Sequence, residues 1–303
     1  MSKSETGGEN SANAVPGGPS PQGTGEQPPP DIDTSTPHVA RMYDYFLGGK
    51  SNYAADREAA EQIIKVMPQV RNVARVNRRF LIDSVRWLVE TAGIRQFIDI
   101  GSGLPTQQNV HEVAQSIDKD VRVVYVDNDP LVRVHAEALL ATTPNTTVIE
   151  GDLRDPRALL ERRELREHID FSQPVALLLV AVLHFIDDTD EAARIASTLY
   201  DALPSGSYVV LSHATTAERI KGAQQEAVAV YNRANSGITL RSLAEVARFF
   251  EGLTPVGTGL TYLADWSLGD PPSPTRRDDG VVPLDPSTLR DIPGVCGVGR
   301  IDR

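Results

Sequence analysis

The segment Asp99-Ile100-Gly101-Ser102-Gly103 places two glycines close together, with a carboxylate two residues before the first of them. Glycines allow a tight turn and let the backbone approach a ligand without a Cβ atom in the way. Loops of this kind occur in nicotinamide, flavin and S-adenosylmethionine folds. By itself the segment therefore predicts a nucleoside cofactor without choosing among these three.

Asp99 favours one of them. A dinucleotide-binding loop has a third glycine three positions after the second, where this chain has Thr106. A carboxylate at Asp99 would repel a pyrophosphate, but it would attract the ammonium group of a methionine moiety, directly or through water. Asp99, Gly101 and Gly103 therefore favour S-adenosylmethionine over NAD. A solvated turn residue is the alternative interpretation of Asp99.

Two further acidic positions follow, each near the end of an apolar run. Asp127 ends a short apolar run, and a carboxylate there can accept hydrogen bonds from both hydroxyls of a cofactor ribose, with Asn128 beside the ring. Asp152, after another apolar run, can accept from an adenine amino group, while Leu153 contacts the ring edge. For Asp152 the alternative is a helix N-cap before Pro156.

The most apolar segment of the chain ends in a histidine. Val180 and the residues after it are small or apolar, and would pack beneath the methionine and adenine. His184 follows at the mouth of the predicted site, where a ring nitrogen could take a proton from a substrate. His184 is thus the candidate catalytic base, with a purely structural histidine as the alternative.

These residues need elements that bring them together. Apolar runs predict strands at residues 96–100, 121–126, 147–150, 175–183, 208–211, 254–263 and 294–301, with helices between most of them. Strands that alternate with helices indicate an α/β fold, a parallel sheet with helices on both faces. Ligands of such sheets bind at the carboxyl ends of the strands, where all the candidate residues fall. Residues 268–286 read as a long surface loop.

The first ninety residues differ from the rest. Residues 1–36 are rich in Gly, Ser, Pro, Gln and Glu and contain few large apolar side chains, which predicts a disordered tail. Helical periodicity begins at Asp56 and continues to about residue 91. We therefore expect a single domain over residues 37–303, whose first part, residues 37–92, is a helical lid.

Composition narrows the function classes. The 303 residues carry a formal net charge of -11, and no cluster of Lys and Arg stands out, so a nucleic-acid partner is not expected. A single cysteine, Cys296, excludes internal disulfides and a cysteine zinc cluster, and no metal site is expected. Residues 175–183 are too few to span a membrane, which takes roughly twenty residues. Without a signal peptide, a cytoplasmic location is expected.

Taken together, several segments resemble one family, the actinobacterial S-adenosylmethionine-dependent methyltransferases long catalogued as a domain of unknown function. The resemblance covers residues 37–300. The segments that carry it are Ala40-Arg41-Met42-Tyr43-Asp44-Tyr45-Phe46-Leu47-Gly48-Gly49-Lys50-Ser51-Asn52-Tyr53, Ala55-Asp56-Arg57-Glu58, Phe97-Ile98-Asp99-Ile100-Gly101-Ser102-Gly103-Leu104-Pro105-Thr106, Val124-Tyr125-Val126-Asp127-Asn128-Asp129-Pro130 and Ala181-Val182-Leu183-His184-Phe185-Ile186.

The resemblance implies a Rossmann-like class I methyltransferase fold, a seven-stranded, mostly parallel sheet whose last strand is antiparallel. It also implies that the segment from Tyr43 to Tyr53 belongs to the site. Polar residues around two glycines suit a lid over the cofactor, so Tyr43, Gly48, Gly49 and Asn52 join the predicted contacts, as does Leu104 of the glycine-rich loop. An arm that merely packs on the sheet is the alternative.

The leading hypothesis is methyl transfer from S-adenosylmethionine to a small molecule. A base-flipping enzyme that methylates amino groups is disfavoured, because the residues after the fourth strand lack an Asn/Asp-Pro-Pro-aromatic pattern. Two other classes remain open. One is a non-catalytic S-adenosylmethionine sensor or scaffold, and the other, less favoured, is a nicotinamide-dependent oxidoreductase. The sequence sets neither the acceptor nor the oligomeric state.

Overall fold

The computed structural model describes residues 33–105, 108–130, 132–134, 143–268 and 292–303. Thr106, most of the predicted tail and most of the predicted loop at 268–286 lie outside these residues. Within the described ranges, no helix is both long and apolar enough to cross a membrane.

Seven strands form one sheet. They are β1 (Gln96–Ile100), β2 (Arg122–Asp127), β3 (Thr146–Glu150), β4 (Ala176–Val180), β5 (Tyr208–Ala214), β6 (Thr254–Tyr262) and β7 (Gly294–Arg300). Their order is β3-β2-β1-β4-β5-β7-β6. The first five pair in parallel, and β7 runs antiparallel to both β5 and β6. The predicted seven-stranded, mostly parallel sheet with an antiparallel last strand is confirmed.

Helices fill the connections. The described helices are α1 (Val39–Leu47), α2 (Ala54–Val66), α3 (Val70–Glu90), α4 (Val110–Ile117), α5 (Pro156–Glu161), α6 (Arg163–His168), α7 (Thr189–Asp201), α8 (Lys221–Tyr231) and α9 (Leu243–Ala247). Short 3-10 segments occur at Leu183–Phe185, Glu218–Ile220 and Arg248–Phe250.

Both faces of the sheet are covered. Because side chains alternate along a strand, neighbouring residues of β1 enter different cores. Phe97 packs with apolar residues of α3 and α4, whereas Ile98 and Ile100 pack with those of α5, α6 and α7. This two-sided burial explains why the central strands are almost wholly apolar, and it leaves the carboxyl ends of the strands as the place for polar side chains.

A third core belongs to the N-terminal arm, formed by α1, α2 and the start of α3. Met42 and Phe46 of α1 pack with Ile63 of α2 and with Ala227 and Val230 of α8. The arm is therefore joined to the main domain through α8.

A buried ion pair fixes the start of the arm. Arg41 Nε lies 3.0 Å from the Asp56 carboxylate, and both side chains are almost wholly buried. The Arg41 guanidinium also donates to the backbone oxygens of Asp33 and Thr36. Residues 33–36, which the sequence prediction placed in the tail, are thus bound to the arm.

The single cysteine lies deep in the sheet. Cys296 is on β7, beside Ser212 of β5 and Thr261 of β6, and has no exposed surface. Burial raises the pKa of its thiol. It lies among core residues and is not one of the predicted site residues.

Candidate functional site

A cavity of about 270 Å³ opens at the carboxyl ends of the central parallel strands, beneath α1 and α3. This is the edge at which ligands of doubly wound sheets bind, and the volume is close to that of small-molecule sites. Most of the predicted site residues line it, namely Tyr43, Asp99, Gly101, Gly103, Leu104, Asp127, Asn128, Asp152, Leu153, Val180 and His184.

The loop after β1 depends on its two glycines. Gly101 and Gly103 have φ values of 72° and 65°, in the left-handed region that side chains disfavour. A Cβ at Gly101 would also overlap the Val182 side chain, which follows β4. The Gly101 amide donates to Val126 O of β2 at 2.8 Å. The loop is thus drawn tightly across the ends of three strands.

Asp127 joins this loop to β2. Its Oδ2 accepts from Gly103 N at 2.8 Å and its Oδ1 from Asp129 N at 3.0 Å. Burial raises the pKa of the carboxyl, and the backbone donors partly oppose that effect. Because each carboxylate oxygen has more than one lone pair, both can still accept from a ligand. Asp127 is therefore oriented before any ligand arrives.

Asp99 is the more deeply buried acid, with 5% of its surface exposed. Burial raises the pKa of its carboxyl to about 7; the Arg78 guanidinium pulls in the opposite direction, and the Asp127 charge adds to the rise. These surroundings exclude the alternative of a solvated turn residue. A buried carboxyl on a cavity wall would ionise more readily beside a cationic ligand.

Asp152 does not cap a helix. The N-cap of α5 is Asp155, whose carboxylate accepts from Ala158 N. Asp152 instead binds Arg154, with Nε to carboxylate distances of 2.9 and 3.0 Å, and both residues line the cavity. Leu153 between them is buried and adds apolar surface.

The strand β4 ends at Val180, three residues before the predicted end. Ala181 has a φ of 56°, and its amide hydrogen-bonds to Ser212 Oγ at 3.0 Å and Ser212 O at 3.2 Å on β5. The chain then turns into the 3-10 segment that contains His184. The left-handed residue therefore ends the strand and opens its carboxyl end.

A chain of hydrogen bonds ties this point to the arm. Ser212 Oγ donates to Asn77 Oδ1 at 2.5 Å, and Asn77 Nδ2 donates to the Tyr43 hydroxyl at 3.0 Å. The Tyr43 hydroxyl in turn donates to Ala74 O at 3.2 Å. All four residues line the cavity. Tyr43 is thereby fixed against α3 and the sheet.

His184 lies in the cavity wall, and a hydrogen bond from the backbone of β5 orients its ring. Its Nδ1 accepts from Ala214 N at 3.4 Å, while Nε2 has no hydrogen-bond partner among the described residues. Burial lowers the pKa of His184 far below its ordinary value, and His213 and Arg241 lower it further. The ring is therefore neutral, with its proton on Nε2.

Behind His184 lies a buried arginine. Arg241 is 1% exposed and donates to Thr189 Oγ1, to His213 Nε2, and to the backbone oxygens of Leu183, Ile186 and Asp187. His213 Nδ1 donates to Ala214 O at 2.7 Å, so both of its nitrogens are used. Burial lowers the pKa of His213 to about 4. This network fixes the loop that carries His184.

Three predicted residues do not line the cavity: Gly48, Gly49 and Asn52. Gly48 ends α1 with a φ of 84°, and a Cβ at Gly49 would overlap the Asp44 carboxylate. Asn52 Nδ2 donates to Asp44 Oδ2 at 2.8 Å and to Gly49 O at 3.1 Å. The three residues build a turn around Asp44, which itself lines the cavity.

The sequence prediction missed several cavity residues. His38 Nδ1 lies 3.2 Å from Asp129 Oδ2, which joins the arm to the loop after β2. Asn77 could have been found, since it is a polar residue on the apolar stripe of a helix. Arg78 and Tyr231 carry no such signal, because only tertiary packing brings them to the cavity.

Comparisons with known proteins agree with one another. The model of a family described as S-adenosyl methyltransferase matches residues 25–302. A crystal structure of a candidate methyltransferase from Thermobifida fusca shares 40% identity, covers 91% of this chain and 99% of its own, and has a TM-score of 0.80. A protein of domain-of-unknown-function family 574 from Streptomyces avermitilis shares 39% identity, covers 89% and 99%, and has a TM-score of 0.78. No curated protein matches the chain.

Proposed function

The chain belongs to the S-adenosyl methyltransferase family, and we propose that it transfers the methyl group of S-adenosylmethionine to a small-molecule acceptor bound in the cavity above β1, β2 and β4. The observation that carries this proposal is the set of oriented acids on the wall of a cavity of small-molecule size. Family membership, with its cofactor, sets aside the nicotinamide alternative. No observation favours a non-catalytic sensor.

The cavity residues suit the groups that this cofactor would present. In this proposal Asp99 faces the ammonium, Asp127 the two ribose hydroxyls and Asp152 the adenine amino group. Asn128 lies next to Asp127, at the edge of the same site. These acids complement a cation and a set of hydroxyl and amino donors, and they oppose a pyrophosphate.

Apolar groups and glycines complete the proposed cofactor contacts. Leu104 and Leu153 are buried, and Val180 ends β4, so together they offer surface to an adenine ring and a methionine chain. Gly101 and Gly103 carry no Cβ atoms, so a ligand can approach the backbone of the loop. Tyr43 closes the cavity from the arm side.

The cofactor supplies an activated methyl group, so the protein has mainly to align the two substrates and exclude water. His184 is placed to help with alignment. Since its Nδ1 already accepts a hydrogen bond, the neutral ring donates from Nε2 to an acceptor atom. Its strongly lowered pKa makes it a poor base. Its geometry therefore favours an orienting role over the predicted removal of a proton.

In this proposal the cofactor does not contact the turn formed by Gly48, Gly49 and Asn52. These residues instead hold Asp44 and set the conformation of the arm. The arm contacts the two loops beside Asp127. His38 of the arm pairs with Asp129 in the loop after β2, and Ala40 of the arm faces Gly103 in the loop after β1. A lid that rests on the cofactor loops would exclude water once the site is filled.

Calorimetric titration with S-adenosylhomocysteine tests the proposal. Asp127→Asn removes the charge from two charge-assisted hydrogen bonds, and we expect affinity to fall about 100-fold, which corresponds to about 2.7 kcal/mol. Glu150→Gln is the matched control, because Glu150 is exposed, pairs with Asp127 in the β2–β3 register and lies outside the cavity wall. Equal affinity in wild type and Asp127→Asn would overturn the assignment of Asp127.

Turnover is a separate measurement. The protein is incubated with S-adenosylmethionine and a panel of small molecules, and release of S-adenosylhomocysteine is followed. Acceptor-dependent release would support the enzyme, whereas tight cofactor binding with no release across the panel would favour the non-catalytic alternative.

A further inference from the structure

The cavity has a second wall, formed by helices and not by the strand ends. It consists of side chains from α1, the α2–α3 turn, α3 and α8, and we call it the α8 wall: Phe46, Met67, Val70, Ala227, Val228 and Tyr231. Five of these six side chains are wholly apolar. A ligand that contacts these six side chains therefore meets hydrocarbon and one aromatic hydroxyl. Gln224 of α8 and Asp44 of α1 also line the cavity, but they are hydrogen-bonded to Thr215 O and to Asn52.

The hydroxyl of Tyr231 is available to a ligand. Tyr231 lines the cavity and burial raises the pKa of its hydroxyl, yet it has no hydrogen-bond partner among the described residues. By contrast, the Tyr43 hydroxyl both donates to Ala74 and accepts from Asn77. Tyr231 is half-buried, and its hydroxyl can both donate a hydrogen bond to a bound molecule and accept one from it.

The arginines of the cavity lie elsewhere. Of the described lining residues, the two arginines are Arg78 and Arg154. Arg154 is bound to Asp152, and Arg78 donates to Gln108 O and acts on Asp99. Both therefore belong to the proposed cofactor half. An anionic acceptor on the α8 wall would lose its hydration without gaining a counter-ion from these residues.

We propose that the α8 wall is the acceptor subsite, and that it takes an uncharged, mainly apolar molecule with a polar group that hydrogen-bonds to the Tyr231 hydroxyl. The inference rests on the proposed function, since it assigns the acceptor half of the same cavity. The apolar side chains supply affinity, and the single hydroxyl fixes the orientation, as in most small-molecule sites.

The test compares three ring-matched probes of different charge on the full-length protein saturated with S-adenosylhomocysteine. They are methyl 4-hydroxybenzoate, which is neutral, 4-hydroxybenzoate, which is an anion, and 4-hydroxybenzylamine, which is a cation. Binding is measured by ligand-observed NMR titration. We expect the ester to bind about tenfold more tightly than either charged probe. Equal or tighter binding of the acid or the amine would overturn the proposal, as would failure of all three to bind.

Two variants link the result to the α8 wall. Tyr231→Phe is expected to weaken the ester about tenfold while leaving the affinity for S-adenosylhomocysteine unchanged. Tyr262→Phe, an exposed tyrosine on β6, is the matched control and should change neither. Ester binding that is indifferent to Tyr231→Phe would overturn the assignment. Failure of the wild type to bind S-adenosylhomocysteine would instead count against the proposed function, so the two failures are distinguishable.

Discussion

Replacing Gly49 with alanine tests how the turn after α1 holds the arm. The Cβ of an alanine at this position would overlap the Asp44 carboxylate, which is buried and accepts a hydrogen bond from Asn52 at 2.8 Å. To make room, Asp44 has to leave its position. Gly48 is a contrasting neighbour, because a Cβ there has nothing within 4 Å but the residue has a φ of 84°.

Alanine should therefore destabilise the arm at both positions, but for different reasons and by different amounts. Gly48→Ala incurs only the left-handed backbone penalty, about 1 kcal/mol. Gly49→Ala loses the charge-assisted bond from Asn52 to Asp44, worth about 1.5–3 kcal/mol, and adds the displacement of a buried carboxylate. We expect a total of about 2–4 kcal/mol for Gly49→Ala.

Amide hydrogen exchange of α1 is the assay, since it measures the free energy of opening the arm even when the rest of the domain stays folded. A double-mutant cycle with Asp44→Ala isolates the cause. In the Asp44→Ala background, the carboxylate is absent and Gly49→Ala should cost about 0.5 kcal/mol or less. An undiminished cost in that background, or a larger cost for Gly48→Ala than for Gly49→Ala, would refute the reasoning.

Three other predictions concern stability. Burial raises the pKa of Asp99 to about 7, so the folded protein keeps a proton that the unfolded chain releases near pH 4. The free energy of unfolding should therefore fall as the pH rises from about 4 to about 7. Urea titrations of wild type should show this decline, and those of Asp99→Asn should lack it. Arg241→Lys supplies three donors where five are used and should lower the free energy of unfolding by about 2–5 kcal/mol, and a loss in urea titration below about 1 kcal/mol would contradict this. Asn77→Leu removes both partners between Tyr43 and Ser212, and should lower the melting temperature in calorimetry, whereas an unchanged value would show that the bonds add nothing.

The sheet and its acids could be predicted from the sequence because both depend on local patterns. Apolar runs alternate with amphipathic segments, and this alternation alone places the ends of parallel strands at one edge. Asp99, Asp127 and Asp152 were predicted to meet there because each lies at or near the end of an apolar run, and all three line the same cavity. Their roles toward the cofactor stay predictions.

The rest depends on contacts between distant parts of the chain. The early end of β4 arises because Ala181 has a left-handed backbone, held by hydrogen bonds from its amide to Ser212, thirty-one residues further on. Likewise, Gly49 was interpreted as a contact of the lid with the cofactor, but its need for glycine comes from Asp44, five positions earlier and on the preceding helix. Tyr231 reaches the cavity only because α8 packs against α2. The periodicity of apolar residues along the chain does not indicate any of these three long-range contacts.

The position of Cys296 gives the protein a built-in chemical probe. It is the chain's single thiol, it lies between two neighbouring strands, and its surface is fully covered. An alkylating reagent can reach it only in molecules whose β5–β7–β6 region has opened. The rate of labelling therefore measures how often this region opens, without any engineered tag. A molecule that binds in the cavity should slow that labelling by mass action, because it stabilises the closed state. Ligands could then be ranked from the protection of one sulfur atom, before any reaction product is known.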